Sequence, residues 1–418
     1  MSKVYMCIDL KTFFASVECV ERGLDPFQTN LVVADASRGR GALCLAVSPC
    51  LKAKGVKNRC RIFDIPRHLH YIAALPRMSL YMEYSAKIYS IYLKYVSQDD
   101  IHVYSIDEVF LDVTPYLNLY QMSVKQLANM ILDDVFKTTG ITATVGIGTN
   151  LYLAKVALDI TAKHVKDNIG ILNQKMYMQK LWHHTPLTDF WQVGKGISNR
   201  LAKHGIVDMY GIAHCDEKIL YKEFGINAEY LIDHAWGKEP TTIADIKRYK
   251  PTHRCISHGQ VLFDDYEYHD ALLILKEMIE VKVLDLVDLH VVTDCIFLHV
   301  GYSKNIIKAT GGSRKIGVRT NSYTILLNEF IRLFKETTHP NYKVKRITIS
   351  FGNIVDEIYE SYDLFTDYEM LEKEKRLQLT LIDIKSKYGK NAILKGMNLQ
   401  EKATTRQRNK LIGGHNAR

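Results

Sequence analysis

The sequence predicts a multidomain protein, α/β in its first part and α+β in its second. Three observations carry that expectation. The chain has 418 residues, which at roughly 150 residues per domain allows about three compact units. Residues 4–165 alternate short apolar runs with stripes of period three to four, the pattern of strands exchanging with helices. A polar, basic stretch from Thr241 to Gly259 then precedes a second helix-and-strand pattern and reads as a linker.

The elements follow in order. Val4 to Asp9 is a short, mostly apolar strand, and Leu31 to Pro49 reads as two strands around a Gly/Arg turn. Met78 to Gln98 is a helix, because Tyr81, Tyr84, Ile88, Ile91 and Tyr95 recur every three or four residues. HVYSIDEVFLDVT, His102 to Thr114, forms two strands, and Ser123 to Phe136 is helical. TATVGIG is a strand, and Thr149 or Asn150 can cap the helix through LYLAKVALDI. Lys166 to Lys238 reads as short helices. Beyond the linker come a helix (Ala271 to Glu280), a strand (Val291 to Tyr302), a Gly311-Gly312 turn, a strand, a helix and a strand (Val344 to Phe351). After Glu357 the chain is polar, with one helix in which Met370, Leu377, Leu381, Ile384 and Tyr388 share a stripe.

Hydrophobic residues make up 47% and charged residues 24%, the balance of an ordinary globular protein. No run of eighteen apolar residues marks a membrane span, and MSKVYMCIDL lacks the apolar stretch of a signal peptide, so a cytoplasmic location is the expectation. Eight cysteines without a C-x-x-C pair read as reduced thiols. His253, Cys255 and His258 are clustered but lack the fourth ligand and second pair of a zinc site. The formal net charge of +9 favours an anionic partner. Lys304, Lys308, Arg314, Lys315 and Arg319 fall in an acid-free stretch from Cys295 to Asn328, and the end of the chain is also basic.

Asp107 and Glu108 stand side by side in an apolar strand pair, and Asp9 ends an apolar strand. Two ionised carboxylates about 4 Å apart repel by roughly 4 kcal/mol at an effective dielectric near 20. They relieve this by sharing a proton or holding a cation, and three hard oxygen donors suit Mg²⁺. Asp112, on the alternation of Glu108 and Phe110, reads as structural.

CIDLKTFFASVE, YSIDEVFLD and TATVGIGTNLYLAKVALD, in this order and spacing, resemble the Y-family translesion DNA polymerases. ATTRQRNKLIGGHNA and KYGKNAILKGMNL look like the tail of the UmuC-type subgroup of Gram-positive bacteria, their plasmids and phages. The resemblance implies a right-hand polymerase: palm at residues 1–10 and 76–165, small fingers at 11–75, helical thumb at 166–240, linker at 241–259, α+β little finger at 260–356 and a tail at 357–418. It implies error-prone synthesis past damaged bases with two Mg²⁺ ions held by Asp9, Asp107, Glu108 and the Leu10 carbonyl. Primer-template DNA and dNTP would be the substrates, with a sliding clamp and a UmuD-like protein as further partners and the nucleoid as place of action.

On the same resemblance Phe14 is the steric gate under the nucleotide sugar, with Phe13 beside it and directed into the core. Lys163 matches a triphosphate-binding lysine after a one-residue insertion, while Lys155 reads as a helix-surface residue. Where related fingers carry Tyr and Arg, this chain has Pro49 and Lys52; Lys52 can neutralise a phosphate without the bidentate fork of arginine. Arg38 and Arg40 lie in the nearby turn. VGKGISNRLAKHGI looks like a helix-hairpin-helix in which Gly194, Lys195 and Gly196 meet a phosphate. The region Lys166 to Glu239 has nine basic and nine acidic residues, so backbone dipoles would supply its grip, and the Lys304 to Arg319 charges would carry the salt-dependent part of binding. SYDLF, with Leu364 and Phe365, resembles a clamp-binding peptide. Readings from other classes are a nucleotidyl cyclase, a metal-dependent nuclease and a non-catalytic DNA-binding accessory.

Overall fold

In a computed structural model the described residues are 3–364 and 366–418, save the side chains of His164 and Asn305. The chain forms two units. The first runs to Tyr249 and takes in His415–Arg418; the second is Lys250–Gly414.

The strands of the first unit are β1 (Tyr5–Leu10), β2 (Leu31–Val33), β3 (Ala46–Val47), β4 (Ile72–Ala74), β5 (Ile101–Val103), β6 (Glu108–Asp112), β7 (Ala143–Gly148) and β8 (Ile169–Leu172). Five of them make one sheet in the order β5-β6-β1-β7-β8, with β1 antiparallel to both neighbours and β7 parallel to β8. Strand period two sorts β1 by face. Met6, Ile8 and Leu10 join a core formed with the helices Met78–Tyr92 and Val124–Thr139. Tyr5 and Cys7 face the other way, against Phe110, Leu151, Ala154 and Leu158. Asp9 shares the parity of Cys7 and is paired across the strands with Glu108.

The helix Leu151–Val156, capped by Asn150, continues into a π-helical turn at Ala157–Thr161. It lies directly on β7 because that strand presents Gly146 and Gly148 on this face. A Cβ at Gly146 would sit 2.1 Å from the Ala154 carbonyl oxygen, and one at Gly148 would sit 2.1 Å from the Ala154 nitrogen. The TVGIG pattern is therefore a strand face built for close helix approach.

The short strands form a separate sheet, β3-β2-β4, over a small core of Val32, Cys44, Val47, Leu51 and Ile65. Five short helices between Gln174 and Ala235 pack around Tyr152, Tyr177, Phe190, Leu201 and Leu231. Two sequence expectations are corrected here. Ile169–Leu172 is a strand rather than part of the helical region, because its apolar residues complete the sheet beside β7. Ile243–Arg248, expected as linker, is a helix with a Thr242/Asp245 capping box, and Ile243 is buried with Phe110 and Leu151.

The second unit has β9 (Ile256–Tyr266), β10 (Val291–Tyr302), β11 (Thr310–Thr320) and β12 (Val344–Gly352) in an antiparallel sheet of order β11-β10-β12-β9. Helices Tyr268–Asp288 and Tyr323–Thr337 share a core with the sheet residues Ile296, Leu298, Val300, Ile347, Ile349 and Phe351. Gly311 and Gly312, expected as a turn, lie inside β11, where a Cβ at Gly311 would meet the Leu298 carbonyl oxygen at 2.0 Å. The tail helix is Tyr368–Tyr388; its fully buried residue is Gln378, and of the apolar stripe Leu381 and Ile384 are half-buried while Met370, Leu377 and Tyr388 are exposed. No helix among the described residues is long and apolar enough to cross a membrane.

Candidate active site

Asp9 and the adjacent pair Asp107 and Glu108, distant in sequence, lie at one end of the first sheet. Asp9 and Glu108 face each other across β1 and β6. Asp107 is tied in by its own carbonyl, which accepts the Leu10 N–H at 2.9 Å, and by Ser105, whose hydroxyl donates to Asp107 Oδ1 at 2.7 Å. Burial, with Lys163 acting against it and Asp107 and Glu108 adding to it, pushes the Asp9 carboxyl up to about 7.

A stripe of alternating charge underlies these acids. Lys155, Asp159 and Lys163 recur at spacing four on the helix and its continuation, and so share one face. Lys155 Nζ donates to Glu108 Oε1 at 2.7 Å and to Asp159 Oδ2 at 3.0 Å. Asp159 Oδ1 accepts from Lys163 Nζ at 2.8 Å, and Lys163 Nζ lies 3.9 Å from Asp9 Oδ2. Burial works against the Lys155 charge, but Glu108 and Asp159 more than offset it and hold the ammonium above the ordinary lysine range. The expectation of a surface position for Lys155 is thus corrected: its side chain is 9% exposed. The two glycines of β7 draw the helix against the sheet and carry Lys155 under the acids. Cys7 completes this side of the site, its thiol donating to Glu108 Oε1 at 3.1 Å and raised well above the usual thiol range by burial and by Glu108.

Asp9, Asp107 and Glu108 offer carboxylate oxygens, and Leu10 a carbonyl at the same strand end, which is the donor chemistry Mg²⁺ takes. A half-buried acid whose carboxyl is pushed up beside two others is also a place where a cation is electrostatically favoured. The donor set therefore fits the ion. As the side chains stand, no three His, Cys, Asp or Glu residues among those described are gathered to ligate one ion; Lys155, Ser105 and Lys163 engage the acid oxygens instead.

Phe13 is buried and Phe14 half-buried at the start of the helix Phe13–Val20, which follows Thr12 in a left-handed conformation (φ 46°). The Phe14 ring stacks on Tyr81 at 4.5 Å and 18°. Tyr81 is itself fixed, its hydroxyl donating to Glu18 at 2.7 Å. Glu18 is fully buried and takes a two-pronged bond from Arg77 at 3.0 and 2.8 Å and another from Arg22. Burial opposes the Glu18 charge, but these donors hold its carboxyl below the usual range. The sequence reading missed this support; the spacing of Phe14 to Glu18 and of Arg77 to Tyr81, four residues each on neighbouring helices, was its signal. Lys52 is exposed, and burial and Lys163 lower its ammonium while Asp9 raises it, so Lys52, Lys163 and Asp9 share one electrostatic neighbourhood.

Gly194, Lys195 and Gly196 are exposed at the start of the helix Lys195–Ala202, whose first turn has no side-chain cap and whose glycines face open space. In the second unit, strand parity divides the basic residues. Lys315 and Arg319 share the open face of β11, with Asp294 3.7 Å from Arg319. Arg314, expected among the DNA-binding charges, points to the helix layer, where Glu329 lies 3.5 Å away and Glu336 also pairs with it. Lys304 and Lys308 are exposed in the loop before β11. The segment with β2, β3 and β4 carries a charge that the sequence reading passed over: residues 36–72 contain eight Lys and Arg against Asp64 alone. Arg40, Arg59, Arg61 and Arg67 are all exposed there. Leu364 is exposed, and Phe365 lies outside the described residues.

A sheet with convergent acids at one end, flanked by short helices and followed by an α+β unit, defines the palm-based polymerase class. The impB/mucB/samB family pattern matches residues 8–159. UvrX of Bacillus subtilis (strain 168), named for repair of UV damage, is 31% identical over 99% of this chain and 97% of its own length. DNA polymerase IV 2 of Bacillus subtilis (strain 168) is 29% identical over 99% of this chain and 98% of its own. Among solved structures, the Y-family DNA polymerase chimera Dbh-Dpo4(243-245)-Dbh matches with a TM-score of 0.65 at 20% identity, over 84% of this chain and 99% of its own. The chain belongs to the impB/mucB/samB family of Y-family DNA polymerases.

Proposed function

We propose that the protein extends a DNA primer along a damaged template, with Asp9, Asp107, Glu108 and the Leu10 carbonyl holding two Mg²⁺ ions. The observation that carries this is the meeting of the three acids on paired strand ends, with Asp9 pushed up to about 7. The ions, when bound, supply Lewis-acid activation of a primer 3′-hydroxyl and charge stabilisation at the leaving pyrophosphate. The protein's own groups do the rest. Lys163 and Lys52 neutralise the triphosphate, and Lys163 exchanges Asp159 and Asp9 for it. Phe14, held by Tyr81, excludes a 2′-hydroxyl, and Phe13 anchors its helix in the core.

The helical region and the second unit serve as thumb and little finger, and the segment with β2, β3 and β4 as fingers. Gly194, Lys195 and Gly196 offer free backbone N–H groups to a phosphate. Lys304, Lys308, Lys315 and Arg319 supply positive charge that carries no sequence information. On this reading the exposed Leu364 is available to a sliding clamp. The relative named for UV-damage repair supports a damaged template as substrate.

The test is primer extension with Mg²⁺ on an undamaged template and on one with an abasic site. The wild type is expected to extend both, and Asp107→Ala to lose at least about a thousandfold on each, ~4 kcal/mol of barrier. Cleavage of the DNA without dNTP, or full-rate synthesis by Asp107→Ala, would overturn the reading.

A further inference from the structure

Lys155 has no evident task in the scheme above. It cannot grip a triphosphate, because its side chain is 9% exposed while that of Lys163 is 45% exposed. Its Nζ is enclosed by Glu108, Asp159 and the Tyr104 ring, whose centre is 6.0 Å away. Tyr104 is in turn fixed by the Trp191 indole N–H, 3.1 Å from its hydroxyl oxygen. A structural ion pair would satisfy the lysine equally well anywhere on the helix. This one ends on a single oxygen of a proposed metal-binding acid, Glu108 Oε1, which also receives the Cys7 thiol. With Oε1 committed to two donors, Oε2 is the oxygen left for a cation.

Resting on the polymerase reading, we propose that Lys155 is a positioning residue that limits Glu108 to one-oxygen coordination of the divalent cation, with Asp159 holding the ammonium in place. The consequence follows from charge and geometry. An ammonium 2.7 Å from the ligating carboxylate repels an incoming cation, so the resident lysine loosens metal binding while fixing the direction of Oε2. Removing the charge frees both oxygens, and metal should then bind more tightly in the wrong geometry.

The test separates this from a fold-stabilising role by reading metal affinity without turnover. Mn²⁺ binding is measured by electron paramagnetic resonance on protein with a dideoxy-terminated primer-template and the matching dNTP; kcat and KM come from an extendable primer. Lys155→Met is expected to bind Mn²⁺ about fivefold or more tightly, with kcat down about tenfold or more and KM for dNTP within about twofold. Lys155→Arg should restore both quantities toward wild type. If Lys155→Met does not fold, Asp159→Asn, which loosens the ammonium without removing it, should shift Mn²⁺ affinity and kcat in the same directions by about two- to threefold. Unchanged or weakened Mn²⁺ affinity in a folded variant overturns the assignment, as does unchanged kcat. A wild type that extends no primer and binds no Mn²⁺ would overturn the polymerase reading itself.

Discussion

Two regions of the molecule, the acid cluster of the first unit and the open sheet face of the second, handle charge in opposite ways. Around the acids of the first unit and under Phe14, charges are packed together and committed: Glu108 to Lys155 and Cys7, Asp159 to two lysines, and Glu18 to two arginines and a tyrosine. In the second, Lys315 and Arg319 stand on the open face of β11, with Cys295 across from Lys315 and the exposed Phe297 on the same face of β10. Close packing makes each group's position depend on the others, so single substitutions there should have large, non-additive effects. Exposed charges on a flat surface act nearly independently and through salt-screened fields.

The largest expected effect is at Asp9. Asp9→Asn should abolish primer extension and yet stabilise the protein, because active-site charge is held at a cost in stability. Its carboxyl titrates at about 7 in the fold against 3.8 ordinarily. The folded state therefore keeps a proton that the unfolded chain releases, and wild-type stability falls as pH rises from about 4 to 7. Without metal, Asp9→Asn should unfold at higher denaturant than wild type above pH 7, by ~1–2 kcal/mol, and the gap should close toward pH 4. A variant equally or less stable at pH 8 would show that the packed charges are already balanced.

Next is the gate. Phe14→Ala should narrow discrimination against ribonucleotides about ten- to a hundredfold, read from the ratio of kcat/KM for dNTP and NTP. Tyr81→Ala should narrow it by less, since an aromatic pair is worth ~0.5–1.5 kcal/mol. Equal discrimination in all three proteins would remove Phe14 from the pocket.

The smallest effects belong to the open sheet. Lys315→Ala and Arg319→Ala should each weaken DNA binding regardless of sequence and reduce the slope of log affinity against log salt by about one or less. Arg314→Ala should leave that slope unchanged and instead cost ~1 kcal/mol of stability, because its guanidinium serves Glu329 and Glu336. A slope that falls as much for Arg314 as for Lys315 would erase the distinction between the two faces.

The residues that sequence reading placed well are those whose signal is local. Asp107 and Glu108 stand out against apolar neighbours, Asp9 ends an apolar run, and the Val291–Tyr302 strand declares itself by composition. What it misplaced depends on contacts across the chain. Lys155 reads as solvent-facing on its own helix, and only the close approach of that helix to Gly146 and Gly148, with Glu108 and Tyr104 beyond, shows it to be buried. Arg314 and Lys315 are adjacent and chemically alike; which one reaches solvent was fixed by a strand phase that the expected Gly311-Gly312 turn concealed. The tail helix carries an apolar stripe of which Leu381 and Ile384 are half-buried and Met370, Leu377 and Tyr388 exposed, so periodicity alone did not show which part of it packs.

Gly146 and Gly148 give the site a boundary that no inventory of reactive groups would draw. A methyl added at either position would lift the overlying helix and take the ammonium away from its carboxylate. Chemistry here depends on two missing atoms, and a random screen for inactive clones should recover alanine at these positions alongside loss of the acids themselves.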